Sequence, residues 1–257
     1  MNCDLYWSDC FDFLPNLPDA SVDLVLADLD YGLTSNQWDN GADLDRLWTE
    51  YLRVGTPSTA FVFTASMPFS ARLVMSKVEL FRHEWIWIKN RGSNFANTTR
   101  EPFKEHESVL VFSRGQWTFN RQMQPRTGSG AERVNYELNW RSKSSNYRDF
   151  EDREGVRRPK LRVPSSWQKF NVEVGLHPTQ KPVPLFAYLV RTYTNENDLV
   201  LDTHSGSGTT AMACVGTKRN FVGCEKDRAY WEKAVNRLEA KLKPLGAQSA
   251  ERGQWSF

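Results

Sequence analysis

Short apolar runs alternate with segments of helical periodicity in the first third of this 257-residue chain. Residues 22–26 and 59–64 form two such runs, which are typical of strands buried on both faces of a sheet. Between them, Leu44, Leu47, Trp48, Tyr51 and Leu52 recur on one face of a helix. This β–α–β rhythm predicts an α/β fold with a mostly parallel sheet.

The same patterns continue along the rest of the chain. A helix is expected from Ser66 and Pro68 to about residue 81. The further expected elements are strands at 84–89 and 108–112, a helix at 182–193, a strand at 199–201, a helix at 211–216, a strand at 220–224 and a helix at 228–242.

Composition excludes several protein classes. A hydrophobic fraction of 40% supports a sizeable core, against a disordered or collagen-like chain. No apolar run approaches the roughly 20 residues of a membrane helix, and the first residues have no signal-peptide pattern. The four cysteines contain no CxxC pair, which argues against a structural zinc site and for a reducing compartment. We expect a soluble protein in the cytoplasm.

Positive charge is concentrated in one segment. Residues 114–176 hold 13 Lys and Arg against 7 Asp and Glu, whereas the rest of the chain holds 20 against 24. Such a basic segment in an acidic body is expected where one lobe contacts a polyanion, but it also fits a solvated, flexible insertion. We predict a core of residues 1–112 and 177–243, an insertion at 113–176 and a tail at 244–257.

A glycine-rich turn follows the strand predicted at 199–201. Gly206, Gly208 and Ala211 form a GxGxxA pattern, and Glu225 lies 17 residues after Gly208, where an acid can bind ribose hydroxyls. No lysine follows in a GK[ST] arrangement, so a P-loop is excluded. The pattern fits either a nicotinamide cofactor or another adenosine-containing cofactor.

Four motifs carry a resemblance to a known family. They are LDTHSGSGTTAMAC at 201–214, HPTQKP at 177–182, NFVGCE at 220–225 followed by Tyr230 and Arg237, and the opening SDC with PDASVDL at 8–10 and 18–24. This set resembles the DNA amino-methyltransferases of the beta class, in which a catalytic half precedes the target-recognition region and the cofactor half. The resemblance implies a Rossmann-like, circularly permuted S-adenosylmethionine-dependent methyltransferase fold with an inserted target-recognition lobe.

The resemblance also implies the cofactor and its contacts. S-adenosylmethionine would have its methionine end lined by Asp202, Gly206 and Gly208, its ribose hydroxyls bound by Glu225, and its adenine near Asp9. The remaining residues implied at the pocket are Thr179, Lys181, Pro182, His204 and Thr209. No metal is implied.

The sequence Asp28-Leu29-Asp30-Tyr31 follows the first predicted strand and occupies the position of the family's DPPY motif. By resemblance, Asp28 and the Leu29 carbonyl would accept hydrogen bonds from the target amino group, and Tyr31 would stack on a base flipped from the duplex. Two acceptors favour methyl transfer because they stabilise the positive charge that develops on the nitrogen.

Two departures from the family pattern bear on activity. Asp30 replaces a proline and adds a carboxylate that either acts on Asp28 through its charge or points to solvent. Thr203 and His204 replace a usual Pro-Phe pair. An active enzyme and a catalytically impaired relative both remain open. An Asp-headed motif favours adenine N6 over cytosine N4, and a nicotinamide oxidoreductase is the alternative from another class. Cytosine C5 chemistry is excluded because no cysteine follows a proline.

The partner implied by the resemblance is double-stranded DNA, in a bacterial or phage-infected cell, with no membrane contact. Trp38 would either wall the base pocket or belong to the core. The basic residues expected to contact DNA are Arg121, Arg126, Arg133, Arg141, Lys143, Arg157, Arg158 and Lys160. The sequence leaves open a homodimer and a partner restriction endonuclease.

Overall fold

The computed structural model of the protein describes residues 2–32, 41–127, 160–175 and 180–242, and the backbone of 254–256. The chain divides into two compact units: Met1–Asn120 with Ser166–Phe257, and Arg121–Ser165. The second unit lies inside the segment predicted as an insertion, 113–176, whose outer parts belong to the first unit.

A nine-stranded sheet organises the first unit. Its strands are β1 (Cys3–Trp7), β2 (Val22–Ala27), β3 (Gly55–Ala65), β4 (Phe81–Ile88), β5 (His106–Phe112), β8 (Trp167–Lys169), β9 (Leu199–Asp202), β10 (Asn220–Glu225) and β11 (Gln254–Ser256). The order across the sheet is β11-β1-β10-β9-β2-β3-β5-β4-β8, and five of the eight neighbouring pairs are parallel. In the second unit β6 (Gln124–Pro125) pairs with β7 (Leu161–Arg162). The predicted α/β fold with a mostly parallel sheet is confirmed.

The helices agree with the predicted periodicity except at one end. They are α1 (Cys10–Phe13), α2 (Leu44–Val54), α3 (Phe69–Ser76), α4 (Val183–Tyr193), α5 (Thr209–Thr217) and α6 (Arg228–Leu242). The helix predicted to reach residue 81 ends at Ser76, because Lys77 leaves the helical conformation and Phe81 already pairs with Phe112 of β5. None of the helices in the described ranges is long and apolar enough to cross a membrane.

Helices cover both faces of the sheet. Along β2, Leu24 and Leu26 belong to one apolar cluster with α4 and α5, while Val25 and Ala27 belong to another with α2. On the α2 side the buried Trp48 lies edge-on to three phenylalanines at centroid distances of 5.2 to 5.7 Å. Side chains that alternate between two covered faces explain why the strand sequences are almost wholly apolar.

The centre of the sheet is a topological switch point. β2 and β9 are parallel neighbours, with Leu24 opposite Val200 and Val25 opposite Leu201. The chain leaves β2 through α2 towards β3 on one side, and leaves β9 through α5 towards β10 on the other. Diverging connections open a crevice at the carboxyl ends of these two strands, where open α/β sheets bind ligands.

Candidate active site

A cavity of about 900 Å³ opens at the carboxyl ends of β2 and β9. It brings together most of the residues that the sequence indicated, although they come from both ends of the chain. The predicted residues that line it are Asp9, Asp28, Leu29, Asp30, Tyr31, Lys181, Asp202, His204, Gly206, Thr209 and Glu225. Pro182 and Gly208 lie outside the lining, and Thr179 and Trp38 lie outside the described residues.

Asp28 is held by three donors directly after β2. Its Oδ2 accepts a hydrogen bond from Lys181 Nζ at 2.6 Å, and its Oδ1 accepts from the Tyr31 hydroxyl at 2.7 Å and from the Thr64 hydroxyl. The Asp28 side chain is 24% exposed, and that of Lys181 is 7% exposed. A carboxylate offers about four lone-pair directions, so the donors that the described residues supply leave one, on Oδ2.

Tyr31 contacts both an aromatic ring and an ammonium group. Its ring stacks on Phe69 with centroids 4.9 Å apart, and Lys181 Nζ lies 5.6 Å from its centroid. Burial, with the nearby Asp28 charge, raises the pKa of Tyr31 well above its usual value, so the hydroxyl stays protonated and donates. The chain then turns at Gly32, whose φ of 68° suits a residue without a side chain.

Asp30, which replaces a proline of the DPPY motif, does not point to solvent. Its side chain is 16% exposed, and its Oδ2 accepts from Lys226 Nζ at 3.0 Å. Its carbonyl oxygen accepts from the Ala42 N–H, also at 3.0 Å. The ion pair therefore connects the loop after β2 with the residue that follows β10.

Asp202 ends β9 at the bottom of the glycine turn. Its Oδ1 accepts from the His204 N–H at 3.0 Å, and its Oδ2 accepts from the Thr210 hydroxyl. Burial raises the pKa of Asp202 to about 7, although both hydrogen bonds act to lower it. This carboxyl group therefore changes its charge near neutral pH.

Glu225, at the end of β10, binds the glycine turn through the backbone of Gly206. Its Oε2 accepts from the Gly206 N–H and its Oε1 from the Asp227 N–H, both at 2.8 Å. Burial raises its pKa, against the lowering effect of these two hydrogen bonds. The described residues supply no second donor to either oxygen, so each has a further lone pair for a hydroxyl group.

The other predicted pocket residues have structural contacts. Gly208 caps α5 with φ of 77°, and a Cβ there would lie 3.0 Å from Ala234 Cβ, so its lack of a side chain lets α5 approach α6. Pro182 caps α4, and the Thr209 hydroxyl donates to the Lys181 carbonyl at 3.1 Å. Asp9 is exposed and accepts from the Phe11 N–H at 2.8 Å as the cap of α1.

Thr203 and His204, which replace the family's usual Pro-Phe pair, form a local chain of hydrogen bonds with Tyr51. The Tyr51 hydroxyl of α2 lies 2.5 Å from Thr203 Oγ1, which lies 2.9 Å from His204 Nδ1. Burial lowers the pKa of His204, so the neutral ring is favoured at neutral pH.

Several site residues carried no signal in the sequence pattern. Thr64 and Glu107 lie on apolar strands that otherwise read as core, and Lys89 closes such a strand. Glu173 accepts from Gln180 at 3.1 Å and from the Val183 N–H at 3.2 Å, and so anchors the segment that carries Lys181. In the sequence these residues share only one feature: each is a polar residue next to an apolar run. That feature does not identify the partner of the residue.

The loop between β4 and β5 forms one rim of the cavity. Arg91, Phe95 and Lys104 line the cavity, and Phe95 is 80% exposed. From the sequence, the basic residues that contact DNA were expected only between residues 121 and 160. Three of those residues lie in the second unit: Arg121 and Lys160 are exposed, and Arg126 donates from Nε to the Leu161 carbonyl at 3.1 Å. The others, Arg133, Arg141, Lys143, Arg157 and Arg158, lie outside the described residues.

Curated relatives match this chain along most of its length. The Type II methyltransferase M1.MboII of Moraxella bovis is 26% identical over 259 residues, covering 91% of this chain and 97% of the relative. The Type II methyltransferase M.HpaI of Haemophilus parainfluenzae is 25% identical over 257 residues, covering 94% and 76%.

Solved structures share the fold. M1.HpyAVI in complex with SAM superposes with a TM-score of 0.61 at 24% identity, covering 92% of this chain and 98% of the other. The PvuII DNA methyltransferase, described as cytosine-N4-specific, superposes at 0.63 with 15% identity, covering 95% and 91%. The chain therefore has the fold of these methyltransferases, as the resemblance implied. A family model described as DNA methylase, of the N6 and N4 methyltransferases, matches residues 22–236, which run from β2 into α6. The protein therefore belongs to this family of DNA methylases.

Proposed function

We propose that this protein transfers a methyl group from S-adenosylmethionine to the N6 amino group of adenine in duplex DNA, at a base flipped into the cavity between β2 and β9. The observation that carries the proposal is that Asp28 shares one cavity with Asp202 and Glu225. An acceptor for an amino group and a set of groups suited to an adenosine cofactor thus meet at the switch point of the sheet.

The residues after β2 suit an amino group as substrate. Asp28 keeps a lone pair on Oδ2 beside the Lys181 ammonium. Leu29 is buried and lines the cavity, which restricts the position of its carbonyl group. An exocyclic amine is a poor nucleophile because its lone pair is delocalised into the ring. Two acceptors in a fixed geometry stabilise the charge that grows on this nitrogen, without rearrangement at the moment of reaction. Tyr31 is proposed to stack on the base.

The cofactor half fits S-adenosylmethionine. A Cβ at Gly206 would meet no atom within 4 Å, so the turn leaves room beside its backbone for a bulky group. Glu225 has lone pairs to spare for two ribose hydroxyls, and the buried Asp202 can pair with the amino group of the methionine end. S-adenosylmethionine would supply a methyl group on a sulfonium centre, and Asp202, Gly206 and Glu225 would hold the cofactor in the cavity that Asp28 also lines. Asp9, Lys181, His204 and Thr209 complete the proposed pocket.

The adenine assignment rests on the Asp-headed motif. Cytosine N4 is the alternative, and the cytosine-N4-specific PvuII enzyme has a similar fold, so the fold itself does not discriminate between the two bases. The chemistry at either amine needs the same acceptors.

Duplex DNA is proposed to contact basic residues in each of the two units. Arg91 and Lys104 at the rim and Arg121, Arg126 and Lys160 in the second unit supply positive charge for phosphate contacts. Several curated relatives are named Type II methyltransferases, which favours a restriction–modification role, in the cytoplasm of a bacterial or phage-infected cell. A homodimer and a companion endonuclease remain open under this proposal.

The test is methyl transfer from tritiated S-adenosylmethionine to unmethylated genomic DNA, followed by digestion and chromatography of the nucleosides. Label in N6-methyladenosine is expected. Label in N4-methylcytosine would overturn the adenine assignment and keep the mechanism. Asp28→Asn is expected to reduce the rate at least about 100-fold, because the amide is a weaker acceptor at the position where charge develops. Asp45→Asn, an exposed change in the first turn of α2, is the matched control.

A catalytically impaired relative is the second candidate, because Asp30 stands where the family has proline. In that case the wild type binds S-adenosylmethionine without labelling DNA from any of several sources, and Asp30→Pro restores transfer. The ion pair of Asp30 with Lys226 favours the active reading, since it gives the loop an attachment of its own.

A further inference from the structure

Four charged side chains of alternating sign run from the floor of the cavity to Asp28. Lys89, which follows β4, contacts Glu107 Oε1; Glu107 Oε2 lies 3.6 Å from Lys181 Nζ; and Lys181 Nζ lies 2.6 Å from Asp28 Oδ2. The Lys89, Glu107 and Lys181 side chains are nearly buried. Charges with so little exposure need partners, because burial removes most of their contact with water.

Glu107 is the only carboxylate besides Asp28 that pairs with Lys181 among the described residues. A lysine has a flexible stem of four carbons, so a single carboxylate contact does not fix the position of its ammonium group. A second carboxylate within ion-pair distance restrains the nitrogen further, because the ammonium group must then satisfy two positions at once. Lys89 pairs with the other oxygen of Glu107, so each oxygen of this carboxylate has a charged partner.

We infer that Glu107 is a positioning residue for methyl transfer: through Lys181 it fixes the orientation of the Asp28 carboxylate, so that the remaining lone pair on Oδ2 faces the target amine. Glu107 acts through Lys181, whereas Asp28 is proposed to contact the base. The inference rests on the proposed function and adds to it a residue of β5 that lies outside the DLDY and HPTQKP motifs.

The charged groups around Lys181 determine its protonation. Asp28 faces it from the end of β2, Glu107 from β5, Lys89 lies beyond Glu107, and the Tyr31 ring lies alongside. Burial lowers the pKa of Lys181, but the two carboxylates outweigh burial and raise it above its usual value. Without the Glu107 charge, burial opposes Asp28 alone, so the pKa of Lys181 falls.

The experiment compares Glu107→Gln with the wild type and with Glu105→Gln, a matched change at an exposed position on the same approach to β5. Steady-state methyl transfer to the DNA that the wild type methylates is measured from pH 6 to 10. For Glu107→Gln we expect kcat to fall at least tenfold, KM for DNA and for S-adenosylmethionine to stay within about twofold, and an alkaline limb of kcat to appear below pH 10, where Lys181 of the wild type, with its raised pKa, stays mostly protonated. Glu105→Gln should match the wild type in all three.

Two results would overturn the inference. One is a wild-type kcat in Glu107→Gln; the other is a lower kcat with no alkaline limb below pH 10, which a purely structural role would give. Lys89→Met provides the opposite change. It leaves the Glu107 charge less neutralised, so the pKa of Lys181 should rise further and no alkaline limb should appear below pH 10; a limb in that range contradicts the inference even if Glu107→Gln does not fold.

A titration without DNA separates this inference from the proposed function. The full chain labelled with 13Cε-lysine is titrated by NMR, and the Lys181 resonance is assigned with Lys181→Arg. A lower pKa of Lys181 in Glu107→Gln and a higher one in Lys89→Met support the positioning network, and an unchanged value in both refutes it. A wild type that methylates no base refutes the proposed function, while this titration still decides the network.

Discussion

Binding of S-adenosylmethionine should strengthen as pH rises towards neutral, because of Asp202. Burial raises the pKa of this carboxyl group to about 7, so in the free protein it is only partly ionised at neutral pH. If its partner is the cofactor's ammonium group, only the ionised form pairs with it. Binding then lowers the pKa of Asp202 and releases a proton.

The size of the effect follows from the ionised fraction. With a pKa of about 7, roughly 3% of Asp202 is ionised at pH 5.5 and half at pH 7, so the affinity should rise about 16-fold over this interval. The ammonium of the cofactor stays protonated over the same interval. Calorimetric titration in two buffers of different ionisation enthalpy measures both the Kd and the protons released.

Asp202→Asn is the control for this prediction. The amide still accepts from the His204 N–H but does not titrate, so the dissociation constant should be weaker and nearly independent of pH. An equally steep pH dependence in Asp202→Asn, or a flat one in the wild type, would refute the assignment of Asp202 to the methionine end.

Two further predictions concern the fold and the rim of the cavity. Gly223→Ala should lower the free energy of unfolding, measured by chemical denaturation, by about a few kcal/mol, because its Cβ would lie 2.6 Å from the Asp202 carbonyl oxygen. Gly216→Ala is the control: this residue of α5 has open space around it, so the change should be neutral or stabilising by up to about 1 kcal/mol. Phe95→Ala should raise KM for DNA about tenfold, the size of one lost stacking contact, and leave KM for S-adenosylmethionine unchanged. Met75→Ala is the control, because Met75 is also highly exposed but lies away from the β4–β5 loop. Equal effects of the two changes would contradict a DNA contact at the rim.

The sequence predicted the elements whose signal is local. The apolar run of β2 and the helical spacing of α2 are visible within a dozen residues, and both occur where expected. β8, with three residues, and β1, whose partner β10 lies more than 200 residues away, depend on pairing with distant strands and have no pattern of their own. The early start of β4 has the same cause, since Phe81 is fixed by its partner on β5.

The candidate site likewise combines residues that the sequence indicated with residues that only the tertiary structure brings there. Asp28 and Gly206 were indicated because each follows a predicted parallel strand, and such ends converge at one edge of a sheet. The contact between Lys181 and Asp28 joins residues 153 positions apart, and Glu107 reads as a polar position in an apolar strand. A motif predicts the type of group that a site needs, but the choice of partner is made by tertiary structure.

The switch point between β2 and β9 has a consequence for synthesis of the chain. β2 leaves the ribosome early, but its neighbour β9 begins at Leu199. One edge of this mostly apolar strand therefore stays unpaired while roughly 170 further residues are made, which takes about 10 to 35 s at roughly 5 to 20 residues per second. An unpaired apolar edge is prone to aggregation and is a target for chaperones. The nascent chain thus carries Asp28 long before the glycine turn exists, and no catalytic centre can form until its last third has been synthesised.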